Sequence, residues 1–161
     1  VAELEGVFDL RATLEPQLAG YAVARASPAD VEALADLARR MIEVGSPGPA
    51  QDLDALVPLN RAFHDRLVAL ADHPTLAAAL AAAIHPPIVR RNFSAYDEAS
   101  LRRSLGHHAE IVAAIRAGDE MWARAAMTAH ICNARAVMVR AAQAAAATTE
   151  HARSPAHEEA S

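Results

Sequence analysis

The sequence predicts an all-α protein, an antiparallel helical bundle of six to seven helices. Apolar residues make up 53% of the 161 residues and aromatic residues only 4%, so the core must consist mainly of Ala and Leu side chains. Alanine is the best helix former and a poor strand former. The chain contains no Asn-Gly or Asp-Gly hairpin turn and no run of alternating apolar and polar residues. The length suits one domain.

The first two helices are predicted on either side of a Ser-Pro step. The first covers residues 4–26 and the second covers residues 28–44. Ser27 is a favourable N-cap and Pro28 suits the first position of a helix, so the first helix must end there. A loop rich in Gly and Pro follows at 45–49. The apolar stripe predicted for the first helix consists of Val7, Leu10, Leu14, Leu18 and Tyr21.

Prolines punctuate the middle of the chain. A third helix is predicted over residues 52–71, and we expect Pro58 to kink it or to mark a fresh start. After a turn, Pro74 opens a fourth helix. We expect that helix to break near Ile84, because the pair Pro86-Pro87 cannot continue it.

The last two helices are predicted to form a hairpin. Ser104 is the expected N-cap of a fifth helix over residues 105–117. Gly118 is the expected C-cap, and Asp119 is expected to cap a sixth helix that ends near Ala147. Residues 1–147 would then form one domain, and the polar tail at 148–161 is predicted to be disordered.

Charge and composition exclude several classes of function. The net charge is −5, which makes the domain a poor candidate for gripping nucleic acid phosphates by itself. No stretch of about 18 apolar residues predicts a membrane span, and no signal-peptide pattern opens the chain. The single cysteine cannot form an internal disulfide, so we expect a cytoplasmic protein.

Two histidines of the predicted hairpin point to a metal site. His108 lies ten residues before Gly118 and His130 lies twelve residues after it. At the rise of a helix these positions are roughly 15 and 18 Å from the turn, which is nearly the same height. Both histidines share apolar stripes and therefore face the bundle interior, where an unpartnered polar group is costly. His107 is expected to point toward the helix flank.

A second pair of candidate ligands lies on the third helix. Asn60 and His64 are four residues apart and share one face. If this helix packs beside the hairpin, Asn60, His64, His108 and His130 converge. Three imidazoles and one oxygen donor suit a divalent metal ion, for which we expect zinc, with nickel, iron or manganese as alternatives. The open alternative is that these histidines only form hydrogen bonds in the core.

Two arginines are candidates for binding a ligand carboxylate. Arg11 lies beside the apolar stripe of the first helix, and Arg90 follows the fourth helix. A guanidinium that points into a cavity can pair with a carboxylate. The alternative for Arg11 is a salt bridge to Glu15, four residues later, worth a few tenths of a kcal/mol.

Four groups of residues, in this order and spacing, together carry a resemblance to a known family. They are Phe8-Asp9-Leu10-Arg11 with Leu14-Glu15-Pro16, Asn60-Arg61-Ala62-Phe63-His64, His108-Ala109-Glu110-Ile111 with Ala114-Ile115-Arg116-Ala117-Gly118-Asp119, and Ala125 with Met127 and His130. Over residues 8–135 the chain resembles the FCD domain, the C-terminal effector-binding domain of FadR-subfamily GntR transcriptional regulators.

The resemblance implies a helical homodimer that binds a small organic acid, often through a metal held by one Asp and three His. The corresponding positions are Asn60, His64, His108 and His130. Asn60 departs from the commoner Asp, which should weaken metal binding and make the site more cationic. Regulators of this family carry a winged helix-turn-helix before this domain, and DNA would be bound only through it. Because the chain opens without Met inside the first helix, we expect a fragment of a regulator, a stand-alone sensor being the other possibility.

A different class of function is a metal-dependent hydrolase or transferase, since the three interior histidines also resemble those of DinB-like helical bundles. Such an enzyme needs a general base beside the metal. Asp65 and Glu110 both fall off the interior stripes, and no other carboxylate at helical spacing from the histidines is predicted to face inward. We therefore expect a binding domain without catalytic activity. A structural helical dimer without a ligand is the third possibility.

Overall fold

A computed structural model describes residues 1–83 and 93–153, and side chains are described up to Thr149. These residues contain helices and no strand, which confirms the predicted all-α fold. Six helices can be bounded within these ranges. Numbered in chain order, they are α1 Ala2–Val23, α2 Pro28–Gly45, α3 Leu53–Ala71, α4 Pro74–Ala83, α5 Glu98–Ala117 and α6 Glu120–Arg153.

The helix ends follow local capping chemistry. Ser27 and Asp30 form a reciprocal capping box at the start of α2, where Pro28 takes the first position as predicted. Gly118 ends α5 in the left-handed conformation, with φ of 69°. The Asp119 carboxylate accepts a hydrogen bond from the Trp122 backbone N–H at 2.9 Å. The tight α5–α6 hairpin that the sequence predicts is therefore confirmed.

The predicted start of α5 is wrong by seven residues. The helix begins at Glu98, and the Asp97 carboxylate caps it by accepting a hydrogen bond from the Ser100 backbone N–H at 2.6 Å. Ser104, the expected cap, is buried within the helix. Asp97 is itself a favourable N-cap residue. The mostly polar residues between Asp97 and Ser104 show no apolar stripe that would have predicted a helix there.

Other boundaries also differ from the prediction. α3 runs through Pro58 as one continuous helix, without a fresh start. The proline ring has no N–H to donate to Asp54, and this loss falls in the second turn of the helix. α1 ends at Val23, and α6 continues to Arg153, six residues beyond the predicted end. The expected break near Ile84 and the candidate Arg90 lie outside the described residues, as does the tail beyond Arg153.

The bundle places α1 and the α5–α6 hairpin around one large core. α1 packs against α6, α3 and α4, and α2 packs against α3 and α5. The large buried side chains of this core are Phe8, Leu34, Met41, Leu56, Phe63, Ile111, Met127 and Ile131. A smaller cluster of Leu18, Ala71 and Leu80 lies under α4. Within the described ranges, no helix is long and apolar enough to cross a membrane.

α1 is buried on two faces rather than on the one predicted stripe. Phe8, Ala19 and Ala22 face the large core, whereas Leu18 faces the smaller cluster. Leu10, Leu14 and Tyr21 of the predicted stripe are only partly buried against the smaller cluster. A helix enclosed on both sides has no single apolar stripe, so periodicity alone identified the less buried face.

Candidate metal centre

Three histidines from three helices meet in the core. His64 of α3, His108 of α5 and His130 of α6 each offer a ring nitrogen, and these nitrogens all lie within 4.8 Å of one another. The ring centroids are 4.4 Å apart for His108 and His130, 5.2 Å for His64 and His130, and 5.6 Å for His64 and His108. The three histidines that sequence spacing selected are therefore neighbours in the fold.

The hairpin register places two of the three rings. His108 lies on the face of α5 that buries Ile111 and Ile115, and His130 lies on the face of α6 that buries Met127 and Ala134. Phe63 precedes His64 on α3, and its ring packs edge-on against His108 with centroids 4.9 Å apart. Aromatic and aliphatic side chains thus surround the buried rings of His108 and His130.

Several ring nitrogens of this cluster are buried without a hydrogen-bond partner among the described residues. They are Nε2 of His64, both ring nitrogens of His108 and Nδ1 of His130, although the Ser104 backbone, one turn earlier on α5, lies close enough to His108 to offset part of the lowering of that ring's pKa by burial. A buried polar atom that makes no hydrogen bond costs about 1–3 kcal/mol, and such atoms are rare in proteins. Their convergence fits a divalent cation, because an imidazole nitrogen is a common ligand of zinc and related metals.

The environment also sets the protonation that a metal requires. Burial, reinforced by the neighbouring His64, lowers the pKa of His108 well below its ordinary value of 6.5. Burial and the neighbouring His108 lower the pKa of His130 in the same way. Both rings are therefore neutral near pH 7, and only the neutral ring has a free lone pair for a metal.

A buried carboxylate supports the cluster from α1. Oε2 of Glu15 lies 3.1 Å from Nδ1 of His64, and Nε of Arg11 donates a hydrogen bond to Oε1 of Glu15 at 2.6 Å. Burial alone raises the pKa of Glu15, but Arg11 and His64 outweigh it and bring the pKa to about 2. The carboxylate is thus ionised and both of its oxygens are engaged.

Sequence reasoning missed Glu15 as part of this site. Only carboxylates at helical spacing from the histidines were considered from the sequence, whereas Glu15 lies on a different helix and is buried beside His64. Glu15 follows Phe8 by seven residues and precedes Ala22 by seven, so it shares their buried face of α1, but the sequence predicts a different face of this helix as the apolar stripe. The Arg11–Glu15 salt bridge, which the sequence analysis gave as the alternative role of Arg11, is present, and both side chains are largely buried.

The remaining candidates occupy different places. Asn60 lies one helical turn before His64 on α3 and is half-buried. The Arg11 guanidinium lies 5.2 Å from the centre of the Phe8 ring. After burial and the neighbouring histidines His108 and His64, its positive charge also contributes to the lowered pKa of His130. His107 stays outside the group of three, although its ring centroid is 6.1 Å from that of His130.

Comparisons with known proteins agree with this architecture. The family described as the FCD domain matches residues 6–133. Among solved structures, one described as Streptococcus agalactiae GntR is similar, with a TM-score of 0.65 and 23% sequence identity. The match covers 83% of this chain and 58% of that one, so the chain spans little more than half the length of that neighbour. No curated protein sequence matches the chain at a significant level.

Proposed function

This chain belongs to the FCD domain family, a family of effector-binding regulatory domains, and on this premise we propose that it senses a small organic acid through a divalent metal ion. The observation that carries the proposal is the convergence of buried, unpartnered imidazole nitrogens from His64, His108 and His130. A structural hydrogen-bonding role would leave these nitrogens paired with protein groups.

We assign the metal-binding role to four side chains. His64, His108 and His130 supply nitrogen ligands, and Asn60, on the same face of α3 as His64, supplies a carbonyl oxygen. Such a ligand set suits zinc first, with nickel, iron or manganese as alternatives. When bound, the cation would supply a positive charge and open coordination positions for an anionic oxygen of the effector.

The charges around the site favour a carboxylate effector. Asn60 is neutral, so the metal ligands themselves do not offset the charge of the cation. Arg11 on α1 is paired with the Glu15 carboxylate through its Nε, so the two side chains together add no net charge. The terminal nitrogens of Arg11 are the donors we assign to an effector carboxylate. Arg90, which lies outside the described residues, is proposed as a second effector-binding residue.

The same geometry supports binding rather than catalysis. A metal-dependent hydrolase or transferase would require a general base beside the metal, and Glu15 is the one buried carboxylate in the part of the chain that the structure describes. Its oxygens are held by Arg11 and His64 and its pKa is about 2, which makes it a weak base at neutral pH. The enzyme of DinB-like type is therefore the second candidate.

We propose that effector binding regulates transcription through an attached DNA-binding segment in a cytoplasmic homodimer. An effector that binds two packings of the bundle unequally shifts their populations, and the change reaches the DNA-binding segments through the dimer. An effector with equal affinity for both packings would change nothing.

A thermal-shift screen of small organic acids tests this function. The untagged protein is screened with and without a chelator, beside a His64→Ala variant and a His73→Asn control in which a histidine outside the cluster is replaced. We expect at least one carboxylate to stabilise the metal-loaded protein and the control, and not the chelated protein or His64→Ala. Stabilisation by no acid in the metal-loaded protein would contradict the proposal.

A further inference from the structure

We propose that Glu15 is a positioning residue that fixes His64 as the Nδ1–H tautomer, so that the lone pair on Nε2 faces His108 and His130. The inference rests on the proposed metal site, because the effect of Glu15 on metal affinity requires that His64 binds a metal. In this arrangement α1 supplies no side chain that binds the metal, but its Glu15 orients His64, the metal-binding residue on α3.

The contact between Glu15 and His64 determines where the proton of the ring lies. Oε2 of Glu15 is 3.1 Å from Nδ1 of His64, and an ionised carboxylate can only accept a hydrogen bond. Nδ1 of His64 therefore carries the hydrogen of this contact, and Nε2 is the nitrogen left to bind a metal. Nε2 of His64 is buried and has no partner among the described residues, so a proton there would have no acceptor.

Arg11 holds the carboxylate in this orientation. Its Nε donates to Oε1 of Glu15 at 2.6 Å, and its guanidinium lies over the Phe8 ring at 5.2 Å from the ring centre. All three residues belong to two successive turns of α1. The buried carboxylate of Glu15 is held in one orientation because each of its oxygens has a polar partner, Arg11 for Oε1 and His64 for Oε2. Phe8, Arg11 and Glu15 therefore form a rigid support for the His64 ring.

The consequence for metal binding follows from chemistry seen in other metal sites. A ligating histidine that donates its second N–H to a carboxylate is oriented and made more basic, and loss of such a partner typically weakens metal binding about 10- to 100-fold. Glu15 is also the one carboxylate at ion-pair distance from any of the three histidines in the described part of the chain. It supplies the negative charge that the neutral Asn60 does not.

Nitrogen NMR of the metal-free protein tests the tautomer directly. The ¹⁵N shifts of the His64 ring distinguish a protonated Nδ1 from a protonated Nε2. We expect the Nδ1–H form in the wild-type chain and in Asp65→Asn, a control that removes an exposed carboxylate next to His64. We expect Glu15→Ala to lose this preference. A wild-type ring protonated on Nε2 would overturn the proposal.

Zinc titration against a competing chelator tests the consequence. Glu15→Gln should bind zinc about 10- to 100-fold more weakly than the wild type, with Asp65→Asn unchanged. If Glu15→Gln fails to fold because Arg11 is left with a neutral partner, the double variant Arg11→Gln/Glu15→Gln removes the uncompensated charge and should show the same loss. Unchanged zinc affinity would refute the positioning role. A wild-type chain that binds no metal refutes the proposed metal site instead. In that case the NMR measurement on the metal-free protein still tests whether Glu15 fixes the tautomer of His64.

Discussion

The imidazoles of His108 and His130 pack against each other across the α5–α6 hairpin, with ring centroids 4.4 Å apart. Both rings are buried, and neither Nδ1 atom has a hydrogen-bond partner in the described part of the chain. Without a cation this contact opposes folding, because it desolvates polar atoms and gives them nothing in return. With a shared cation it becomes a source of stability. A bound cation would therefore reverse the contribution of this contact to stability.

Replacing His108 by Leu should have opposite effects on stability with and without metal. In the metal-free protein His108→Leu removes a buried imidazole whose polar atoms have at most the Ser104 backbone as a partner, at similar side-chain volume, so stability should stay the same or rise by about 1–3 kcal/mol. With excess zinc the wild type should be the more stable protein, because the variant has lost a ligand. Urea unfolding of the wild type and the variant, in chelator and in zinc, measures the free energy of unfolding under both conditions. A variant less stable than the wild type in chelator would contradict this account.

Metal removal should lower the melting temperature of the wild type. A ligand that binds only the folded state adds about 2.7 kcal/mol at a free concentration 100 times its dissociation constant. For a domain of this length each kcal/mol corresponds to about 2–4 °C, so the expected loss is roughly 5–10 °C. Calorimetry before and after chelation measures it, with His130→Gln as the control. An equal drop in the melting temperature of His130→Gln on chelation would show that the metal binds at a site other than the histidine cluster.

The metal-free protein should lose stability as the pH falls below 6.5. The folded-state pKa values of His108 and His130 are lowered below 6.5, so between those values and 6.5 the unfolded chain binds more protons than the folded chain. Stability must then rise with pH, by up to about 1.4 kcal/mol per pH unit for each histidine. Burial also lowers the pKa of His107, which acts in the same direction.

Urea unfolding of the metal-free protein between pH 7.5 and pH 5 measures this slope. The slope should be smaller in His108→Leu. Glu15 acts in a lower window, because its pKa falls from 4.5 to about 2 on folding. Its contribution is complete above pH 4.5 and is lost only as the pH falls toward 2. A stability that does not change between pH 7.5 and pH 5 would refute the inferred neutral histidines.

Asn60→Asp should tighten metal binding and weaken effector binding. A carboxylate at this position adds a negative charge to the proposed ligand set, which strengthens the attraction for a cation and lowers the net charge presented to an anionic effector. Gln143→Glu is the matched control, since it adds the same charge at an exposed position of α6. Isothermal titration with zinc, and then with an acid that stabilises the protein, gives both affinities. Equal affinities in the wild type and Asn60→Asp would remove Asn60 from the site.

The sequence was sufficient to predict the helical class and the histidine cluster, because both follow from local rules. The Gly118-Asp119 turn sets the register of α5 and α6, and the counts from it to His108 and His130 place the two rings at one height. His64 was found by its spacing from Asn60 and by the resemblance of the surrounding residues to the FCD domain. These are short-range signals that survive without knowledge of the packing.

Glu15 could not be found by the same rules. Its role depends on α1 being enclosed on two sides, so that a face with a charged residue between apolar ones is buried. Helical periodicity assumes one buried face and selects the other stripe. Only the packing of α1 against α3 shows that Glu15 contacts His64 rather than solvent. Ser104 was wrongly predicted as an N-cap because the sequence does not distinguish a serine that caps a helix from a serine that is buried within one.

The measurement that tests the central claim most directly is the metal content of the untagged protein, determined by elemental analysis beside the triple variant His64→Ala/His108→Ala/His130→Ala and the His73→Asn control. The account predicts about one divalent ion per chain in the wild type and in the control, and almost none in the triple variant. A wild-type chain that stays empty after incubation with zinc, nickel, iron and manganese would contradict it. So would a triple variant that retains the ion.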